Sequence, residues 1–497
     1  MLVIGLQKRK RSLQGVIMKD NFGKEKTLIV IGSSLILIGV LLNEWIVAAL
    51  FCPDGVLSTF LYRIVVWFFD ISLVSIGALL LIYRKSTRIS RKTFIFPAIT
   101  LILITTILEV GLQLLTVIFP KIDALLSEIP RNVYDEKLVH RPNPAYPGHD
   151  LNGFRNKSVP KKADIVAMGD SQTYGTNVRV DQAWPQQLQK LGNIKVYNIS
   201  SGGYGPVHSL ILLDEALKFK PRLLIEALYA GNDLYDSYYL VYDKNQLPDM
   251  KTSDEKVIRD IYEAENIESL GDRAQRMLSN QTKQTKTQDS EHDSSLTKYF
   301  SENCKLYRVF STLNSLCNYY MSLNSTWELE KKYAQEDKTY FLPFESERFR
   351  TIFTPVRRLC ALDLNDIRIL EGHRLSLEAI RFMNERTRIA NIDFIVLLIP
   401  TKELVFKSVV YETQQSMPDE YNTLIDNEEL FWRRTKAYLE DQGIGYIDSL
   451  PVLRGCFRSG VQPYRITKDG HPNPAGHHAI AELVLSTLRS RDHTALK

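Results

Sequence analysis

The chain has 497 residues, of which 44% are hydrophobic and 24% charged, values that exclude collagen-like, disulfide-scaffold and wholly disordered proteins. The net charge of +5 is too small to indicate nucleic-acid binding, so we expect no nucleic-acid partner. The hydrophobic residues are segregated near the N-terminus instead of being spread along the chain, and this segregation argues against a wholly water-soluble protein.

Three almost purely apolar segments lie near the N-terminus, at residues 27–51, 60–83 and 94–119. A helix needs about 20 apolar residues to cross the hydrocarbon core of a bilayer. Each segment exceeds that length, so the sequence predicts three transmembrane helices over residues 27–119 and a membrane bilayer as the partner of this region.

Lysine and arginine are distributed unevenly around these segments. Residues 1–26 carry seven of them, the loop 52–59 carries none, and the loop 84–93 carries five. Because short cytoplasmic loops are the ones enriched in positive charge, we predict that residues 1–26 form a cytoplasmic tail. The third helix then runs outward, and everything after about residue 120 lies outside the cytoplasm.

Beyond a predicted connector at residues 120–160, the region 161–497 alternates short apolar runs with amphipathic stretches. Strands that alternate with helices imply right-handed crossovers and a parallel sheet, so the sequence predicts a three-layer α/β domain. The predicted strands are residues 163–168, 194–199, 223–229, 394–399 and 445–447, and the predicted helices include 184–191, 208–219 and 474–489.

About 160 residues separate the third and fourth predicted strands, which is too many for a loop in a compact domain. We therefore interpret residues 237–345 as an insertion that caps the site or offers a surface to a partner. Within it, residues 281–295 contain no hydrophobic side chain and are predicted to be disordered, because such a segment cannot contribute to a core.

Reactive residues follow several of the predicted strands, and ligand sites of open parallel sheets lie at the carboxyl ends of the strands. Ser171 stands in the run Gly169-Asp170-Ser171-Gln172 after the first strand, and Gly203 and Asn232 follow the second and third. His471 and Asp469 precede the terminal helix. Acyl transfer needs a nucleophile, a base, an orienting acid and oxyanion donors, and these residues supply all four. We therefore expect no metal and no cofactor.

The order and positions of these blocks resemble the SGNH/GDSL hydrolase superfamily, named for its Ser, Gly, Asn and His. The segments 152–155 (Asn-Gly-Phe-Arg) and 399–402 (Ile-Pro-Thr-Lys) are similar to its membrane-anchored bacterial branch, near cell-envelope polysaccharide O-acetyltransferases and deacetylases. The resemblance implies a flavodoxin-like three-layer domain. The chain departs from the family where Asp469 and His471 are separated by one residue instead of the usual two.

The resemblance also implies how the residues act. Ser171 attacks an ester, His471 is the base, Asp469 orients it, and the oxyanion is held by the N–H groups of Ser171 and Gly203 and by the amide of Asn232. The implied activity is that of an esterase on an acylated glycan or lipid of the bacterial cell envelope, at the inner or plasma membrane. Two alternatives stay open: an O-acyltransferase supplied by a membrane partner, and a non-catalytic assembly protein.

Overall fold

The computed structural model describes residues 28–51, 57, 60–82, 109, 130–273 and 326–490. The chain divides into two compact units. The smaller unit consists of residues 1–129 with 293–320, and the larger consists of residues 130–292 with 321–497. All the residues predicted to carry chemistry belong to the larger unit.

In the smaller unit, residues 28–41 are helical (α1), and they are followed by α2 (Glu44–Phe51) and α3 (Phe60–Ile82). Helix α3 covers nearly all of the second apolar segment. The first apolar segment is not one continuous helix, because the side-chain oxygen of Asn43 accepts hydrogen bonds at 3.1 Å from the N–H groups of Trp45 and Ile46 and so caps a new helix.

Within the described residues, no helix combines the length and the apolar character that crossing a membrane requires. The third apolar segment, 94–119, lies outside the described residues apart from residue 109, and the basic tail 1–26 lies outside them entirely. The three transmembrane helices therefore stay a prediction from the sequence.

In the described part of the larger unit, strands and helices alternate as the sequence predicts. The strands, in chain order, are β1 (Asn132–Asp135), β2 (Val139–Pro142), β3 (Ile165–Gly169), β4 (Val196–Ser200), β5 (Leu223–Tyr229), β6 (Leu342–Glu345), β7 (Arg350–Phe353), β8 (Asp393–Ile399) and β9 (Gly445–Asp448). The helices are α4 (Ser171–Tyr174), α5 (Trp184–Gly192), α6 (Pro206–Leu217), α7 (Asp233–Tyr238), α8 (Glu255–Ile267), α9 (Trp327–Glu336), α10 (Pro355–Leu362), α11 (Ile367–Ile389), α12 (Lys402–Glu412), α13 (Asp419–Asp441), α14 (Leu450–Arg458) and α15 (Pro474–Ser490).

Among the described residues, strands β3, β4, β5, β8 and β9 form one parallel sheet in the order β4-β3-β5-β8-β9, which is the flavodoxin-like order. These are the five predicted strands, each displaced by two residues or fewer. Every residue of β3, β4 and β5 is buried, as expected for parallel strands covered on both faces. The prediction of an α/β domain with a parallel sheet is confirmed.

Helices cover both faces of the sheet. On one face, α15 packs against α5 and α14. On the other face, α11 packs against α6. His373 of α11 also forms a hydrogen bond with Thr435 of α13. The strand register places Gly169 opposite Ser200 and Ala227. The carboxyl ends of β3, β4 and β5 therefore meet at one edge of the sheet.

Two predicted boundaries differ from the structure. Residues 130–160, interpreted as part of a connector, pack into the larger unit: Arg155 and Asn156 are buried, and Asn156 Nδ2 donates to the carbonyl of Asn198 at 3.0 Å. The predicted end of the insertion at residue 345 falls inside the β6–β7 hairpin, where Glu345 pairs with Arg350. The local sequence around residue 345 does not show which strand it pairs with, and for that reason the predicted end of the insertion is misplaced. Residues 281–295 lie outside the described residues.

Candidate active site

Ser171 is the first residue of α4, directly after β3. Asp170 caps this helix, since its Oδ1 accepts from the N–H of Gln172 at 2.8 Å, and its Oδ2 lies 3.1 Å from Ser171 Oγ. Gly169 has a φ of +142°, and a Cβ there would lie 2.9 Å from the carbonyl oxygen of Ala227. The strand can therefore turn sharply into α4 only with glycine at this position.

The structure brings Ser171, His471 and Asp469 together. His471 Nε2 lies 2.9 Å from Ser171 Oγ, although the two residues are 300 positions apart. His471 Nδ1 lies 2.6 Å from Asp469 Oδ1. Both distances are those of hydrogen bonds, so a serine, a base and an orienting carboxylate form a continuous chain.

The short spacing between Asp469 and His471 is compatible with this geometry because the segment turns tightly. The main-chain N–H of His471 donates to Asp469 Oδ1 at 3.2 Å, so one carboxylate oxygen receives both the backbone and the ring of the same histidine. The N–H of Asp469 in turn donates to Thr467 Oγ1 at 3.3 Å. The one-residue spacing does not prevent the orienting contact.

Asn177 forms a further hydrogen bond to Asp469, and nothing in the sequence around Asn177 predicts this contact. Its Nδ2 donates to Asp469 Oδ2 at 2.8 Å. Burial alone would raise the pKa of Asp469, but the nearby imidazole of His471 and the hydrogen bonds from His471 and Asn177 hold that pKa well below its ordinary value. Asp469 is therefore ionised at neutral pH, as an orienting acid must be.

Gly203 lies in the turn after β4, with a φ of +78° that favours glycine. Its neighbour Gly202 faces the nucleophile, since a Cβ on Gly202 would lie 3.7 Å from Ser171 Cβ. Among the described hydrogen bonds, the N–H groups of Gly202 and Gly203 donate to no acceptor. The turn thus offers free backbone donors beside Ser171, as an oxyanion hole requires.

His140 on β2 fixes this glycine turn, and no local sequence pattern points to it. Its Nε2 donates to the carbonyl of Gly202 at 2.9 Å, and its ring packs 5.3 Å from the ring of Tyr204. The hydroxyl of Tyr204 donates to the carbonyl of His140 at 2.8 Å. The β1–β2 hairpin, which the sequence interpretation places in a connector, therefore supports the candidate oxyanion hole.

Asn232 lies at the end of β5, where it precedes α7. Its Nδ2 donates to Asp236 Oδ2 and, at 3.4 Å, to Asp233 Oδ1, while Asp233 Oδ2 accepts from the N–H of Tyr229 at 2.8 Å. The amide of Asn232 is thus held by two acids in the free site. It can serve as an oxyanion donor only by exchanging one of these bonds for the substrate.

Four acids interact with one another next to Ser171: Asp170, Glu226 and Asp233 are buried, and Asp236 is half-buried. Burial raises the pKa of Asp170 to about 6 and that of Asp236 to about 8, and it raises the pKa of Glu226 and Asp233 well above the ordinary range. The raised pKa values of Glu226, Asp233 and Asp236 favour the protonated form of these three acids and so limit the negative charge near Ser171, whereas Asp170 is mostly ionised at pH 7. Within the described residues, no three His, Cys, Asp or Glu side chains are placed to hold a metal ion.

Arg358 on α10 brings a positive charge to the same loop. A Cβ on Gly470, between Asp469 and His471, would lie 2.1 Å from Arg358 Nη2, and the guanidinium carbon lies 5.7 Å from the centroid of the Tyr229 ring. Arg358 belongs to the segment between β5 and α11, so this long connection contributes to the site. Only the three-dimensional packing reveals it.

Comparison with known proteins gave matches among solved structures alone. No family model matches the chain, and no curated protein sequence does. Similar structures include a lipolytic protein of the G-D-S-L family from Desulfitobacterium hafniense, with 14% identity, 66% of this chain and 100% of that chain covered, and a TM-score of 0.27.

Two further structures are comparable. TesA has 14% identity, covering 66% of this chain and 98% of that one with a TM-score of 0.29. A catalytic mutant of Axe2, an acetylxylan esterase from Geobacillus stearothermophilus, has 10% identity, covering 68% and 98% with a TM-score of 0.29. Such distant likenesses say nothing about the activity of this chain, which has to be inferred from the geometry of its site.

Proposed function

We propose that this protein is a serine hydrolase that cleaves O-acyl esters through an acyl-enzyme. The observation that carries the proposal is the hydrogen-bonded chain from Ser171 through His471 to Asp469, with distances of 2.9 and 2.6 Å. A half-buried, ionised acid that orients an imidazole toward a serine hydroxyl has one well-understood chemical use, which is to activate that hydroxyl as a nucleophile.

In the proposed mechanism, His471 Nε2 accepts the proton of Ser171 Oγ as the oxygen attacks the ester carbonyl. Asp469 stabilises the imidazolium through Nδ1. The tetrahedral oxyanion is held by the N–H groups of Ser171 and the glycine turn at Gly203, each worth about 3 kcal/mol of transition-state stabilisation. His471 then protonates the leaving alcohol, and water resolves the acyl-enzyme by the reverse proton transfers.

We further propose that the site works outside the cytoplasm on an acylated glycan or lipid of the cell envelope. The charge pattern around the apolar segments 27–51, 60–83 and 94–119 supports this placement. The ester specificity itself rests on the resemblance of the sequence blocks to the SGNH/GDSL superfamily, since fold and site alone do not identify a substrate.

The test uses the full-length chain in detergent. We expect it to hydrolyse 4-nitrophenyl acetate and to react with a fluorophosphonate at Ser171. Ser171→Ala should abolish both reactions because it removes the attacking oxygen. Ser486→Ala, at an exposed serine on α15, is the matched control and should leave both unchanged.

Three results would discriminate between the alternatives. Full hydrolysis by Ser171→Ala would overturn the enzymatic proposal and leave the assembly-protein alternative. Labelling of Ser171 without hydrolysis would favour an O-acyltransferase, in which an acceptor hydroxyl replaces water. Hydrolysis that is diverted to acetyl transfer when an acceptor sugar is added would place the protein in the same transferase class.

A further inference from the structure

Lys402 is a fully buried lysine at the start of α12, three residues after the end of β8. Its Nζ donates to three main-chain carbonyl oxygens, those of Ile352 at 2.6 Å, Thr467 at 3.0 Å and Asp469 at 3.0 Å. An ammonium group has three donors, so every donor is used on backbone in or beside the loop that carries Asp469.

The ammonium form is the one that makes these contacts at neutral pH. Burial lowers the pKa of Lys402 to about 8, and the negative charges of Glu403 and Asp469 oppose part of that lowering. Three carbonyl acceptors match the three N–H donors of the charged form, whereas a neutral amine would leave one of them without a partner.

The contacts join three parts of the chain that are distant in sequence. Ile352 lies on β7, in the segment between β5 and α11, whereas Thr467 and Asp469 lie in the loop that carries the orienting acid. The side chain of Asp469 is fixed independently by Asn177 at 2.8 Å and His471 at 2.6 Å. Lys402 holds only its main chain.

We propose that Lys402 is a positioning residue for the reaction: it fixes the main chain of the 467–469 loop so that the carboxylate of Asp469 meets His471 at the correct distance. The proposal rests on the proposed function, because it assigns the lysine to the same Ser171–His471–Asp469 chain. It also gives the hairpin β6–β7 a role, since the loop is anchored on the carbonyl of Ile352.

Stability alone is a poor reason for a buried lysine. Removing an ion from water is costly, and that cost opposes the stabilisation gained from the three hydrogen bonds of Lys402. Lys402→Met preserves the unbranched side chain and much of its volume but leaves three carbonyl oxygens without this donor, so we expect it to fold with reduced stability. Precise placement of the reacting groups is a different matter, because a displacement of about 1 Å costs about 10²-fold in rate.

The experiment measures kcat and KM for 4-nitrophenyl acetate, and the rate of fluorophosphonate labelling, on full-length variants in detergent. We expect Lys402→Met to lower kcat and the labelling rate by about 10²-fold, with KM unchanged within about twofold. In an Asp469→Asn background, we expect Lys402→Met to cost less than about threefold, because residues that act through one another are not additive.

Lys407→Met is the matched control, since Lys407 lies on the same helix with an exposed side chain that pairs with Glu429, and it should leave every rate unchanged. Thermal melting of each variant checks folding. If Lys402→Met does not fold, Lys402→Gln, which keeps two N–H donors, takes its place and should show a smaller loss of the same kind.

Two outcomes would overturn the positioning role alone. An equal loss on Lys402→Met with and without the Asp469→Asn substitution would show that Lys402 acts generally on the fold. An unchanged kcat in Lys402→Met would show that the lysine does not act on the reaction. If the unsubstituted protein shows neither turnover nor labelling of Ser171, the proposed function and the role of Lys402 both fail.

Discussion

Asp469 and His471 are separated by one residue, Gly470, and the local geometry of this segment makes the short spacing workable. One intervening glycine lets the chain turn so that Asp469 Oδ1 accepts from both the main chain and the ring of His471. Gly470 also leaves room for the Arg358 guanidinium, whose Nη2 would lie 2.1 Å from any Cβ there. Glycine at position 470 therefore serves both the short spacing between Asp469 and His471 and the close packing of Arg358 from α10.

Asp469→Asn should lower kcat by about 10⁴-fold, because an amide in place of the carboxylate no longer holds the imidazole in the tautomer that accepts the serine proton. The rate is measured with 4-nitrophenyl acetate in the full-length protein. Asp181→Asn is the control, since Asp181 pairs with Arg179 at an exposed site, and it should leave kcat unchanged. A loss of less than about tenfold would mean that Asp469 does not orient His471.

Glu226 is a second residue whose behaviour follows from its surroundings. It lies in the middle of β5 and is fully buried. Burial raises its pKa well above the ordinary value, and the neighbouring Asp170 raises that pKa further. The folded protein therefore keeps a proton on this acid at a pH at which the unfolded chain has released it.

An acid with a raised pKa stabilises the fold at low pH, and that contribution is lost as the pH rises toward the folded-state pKa. The buried histidines His208 and His477, whose pKa burial lowers to about 3, act oppositely, but only below the ordinary histidine pKa of about 6.5. Between about pH 6.5 and 8, the free energy of unfolding should therefore fall as the pH rises.

Glu226→Gln should flatten that fall by up to about 1.4 kcal/mol per pH unit, the value for one proton. The free energy of unfolding is measured by urea denaturation at three values across that range, about pH 6.5, 7.2 and 8. Glu347→Gln, at an exposed position, should retain the full slope. An unchanged slope in Glu226→Gln would show that this carboxyl is ionised in the folded protein.

At the scale of elements, the close crossing of α7 and α11 fixes the position of Asn232. A Cβ on Gly372 of α11 would lie 2.0 Å from the carbonyl oxygen of Leu234 on α7. The two helices therefore approach with backbone against backbone, which glycine alone permits. Because Asn232 directly precedes α7, this crossing determines where Asn232 lies in the site.

Gly372→Ala should destabilise the protein by about 1–3 kcal/mol, since the added methyl must push rigid backbone apart. It should also lower esterase activity by displacing α7. Urea denaturation and turnover of 4-nitrophenyl acetate measure the two effects. Gly455→Ala in α14 is the control: its added Cβ would meet only the flexible end of Arg458, at 3.4 Å. If the Gly372→Ala variant were as stable and as active as the unsubstituted protein, the close approach of α7 and α11 at this position would be wrong.

For the whole molecule, the basic residues around the apolar segments predict that the larger unit lies outside the cytoplasm. A reporter that is active only outside the cytoplasm should be active when fused after residue 125 and silent when fused after residue 88. An alkaline phosphatase fusion measures this in cells, and a fluorescent protein that matures only in the cytoplasm gives the reciprocal control. The reverse pattern would place the candidate site in the cytoplasm.

Much of the larger unit could be predicted from the sequence because its signals are local. A buried parallel strand is a short apolar run that ends at a turn, and the runs ending at Gly169, Ser200 and Tyr229 are strands in the structure. Ser171 and His471 could be singled out because such strand ends and the start of a terminal helix are where reactive residues collect.

The local sequence does not predict whether a side chain is buried when another secondary-structure element covers it. His477 and His478 are neighbours on α15, yet His477 is fully buried and its Nδ1 accepts from the N–H of Trp184 at 3.3 Å. His478 is exposed. Two adjacent histidines look alike in sequence, and only the packing of α15 on α5 distinguishes them.

The sequence by itself determined where the strands of the parallel sheet lie and which residues are the candidate nucleophile and base, since each depends on residues within a few positions. The tertiary structure alone decided which residues support them: Asn177, His140, Arg358 and Lys402 reach the site from four separate segments. The contact of His140 with the site joins residues 62 positions apart, and that of Asn177 joins residues 292 positions apart. No local pattern encodes such a contact, because chain folding, and not sequence spacing, brings its two partners together.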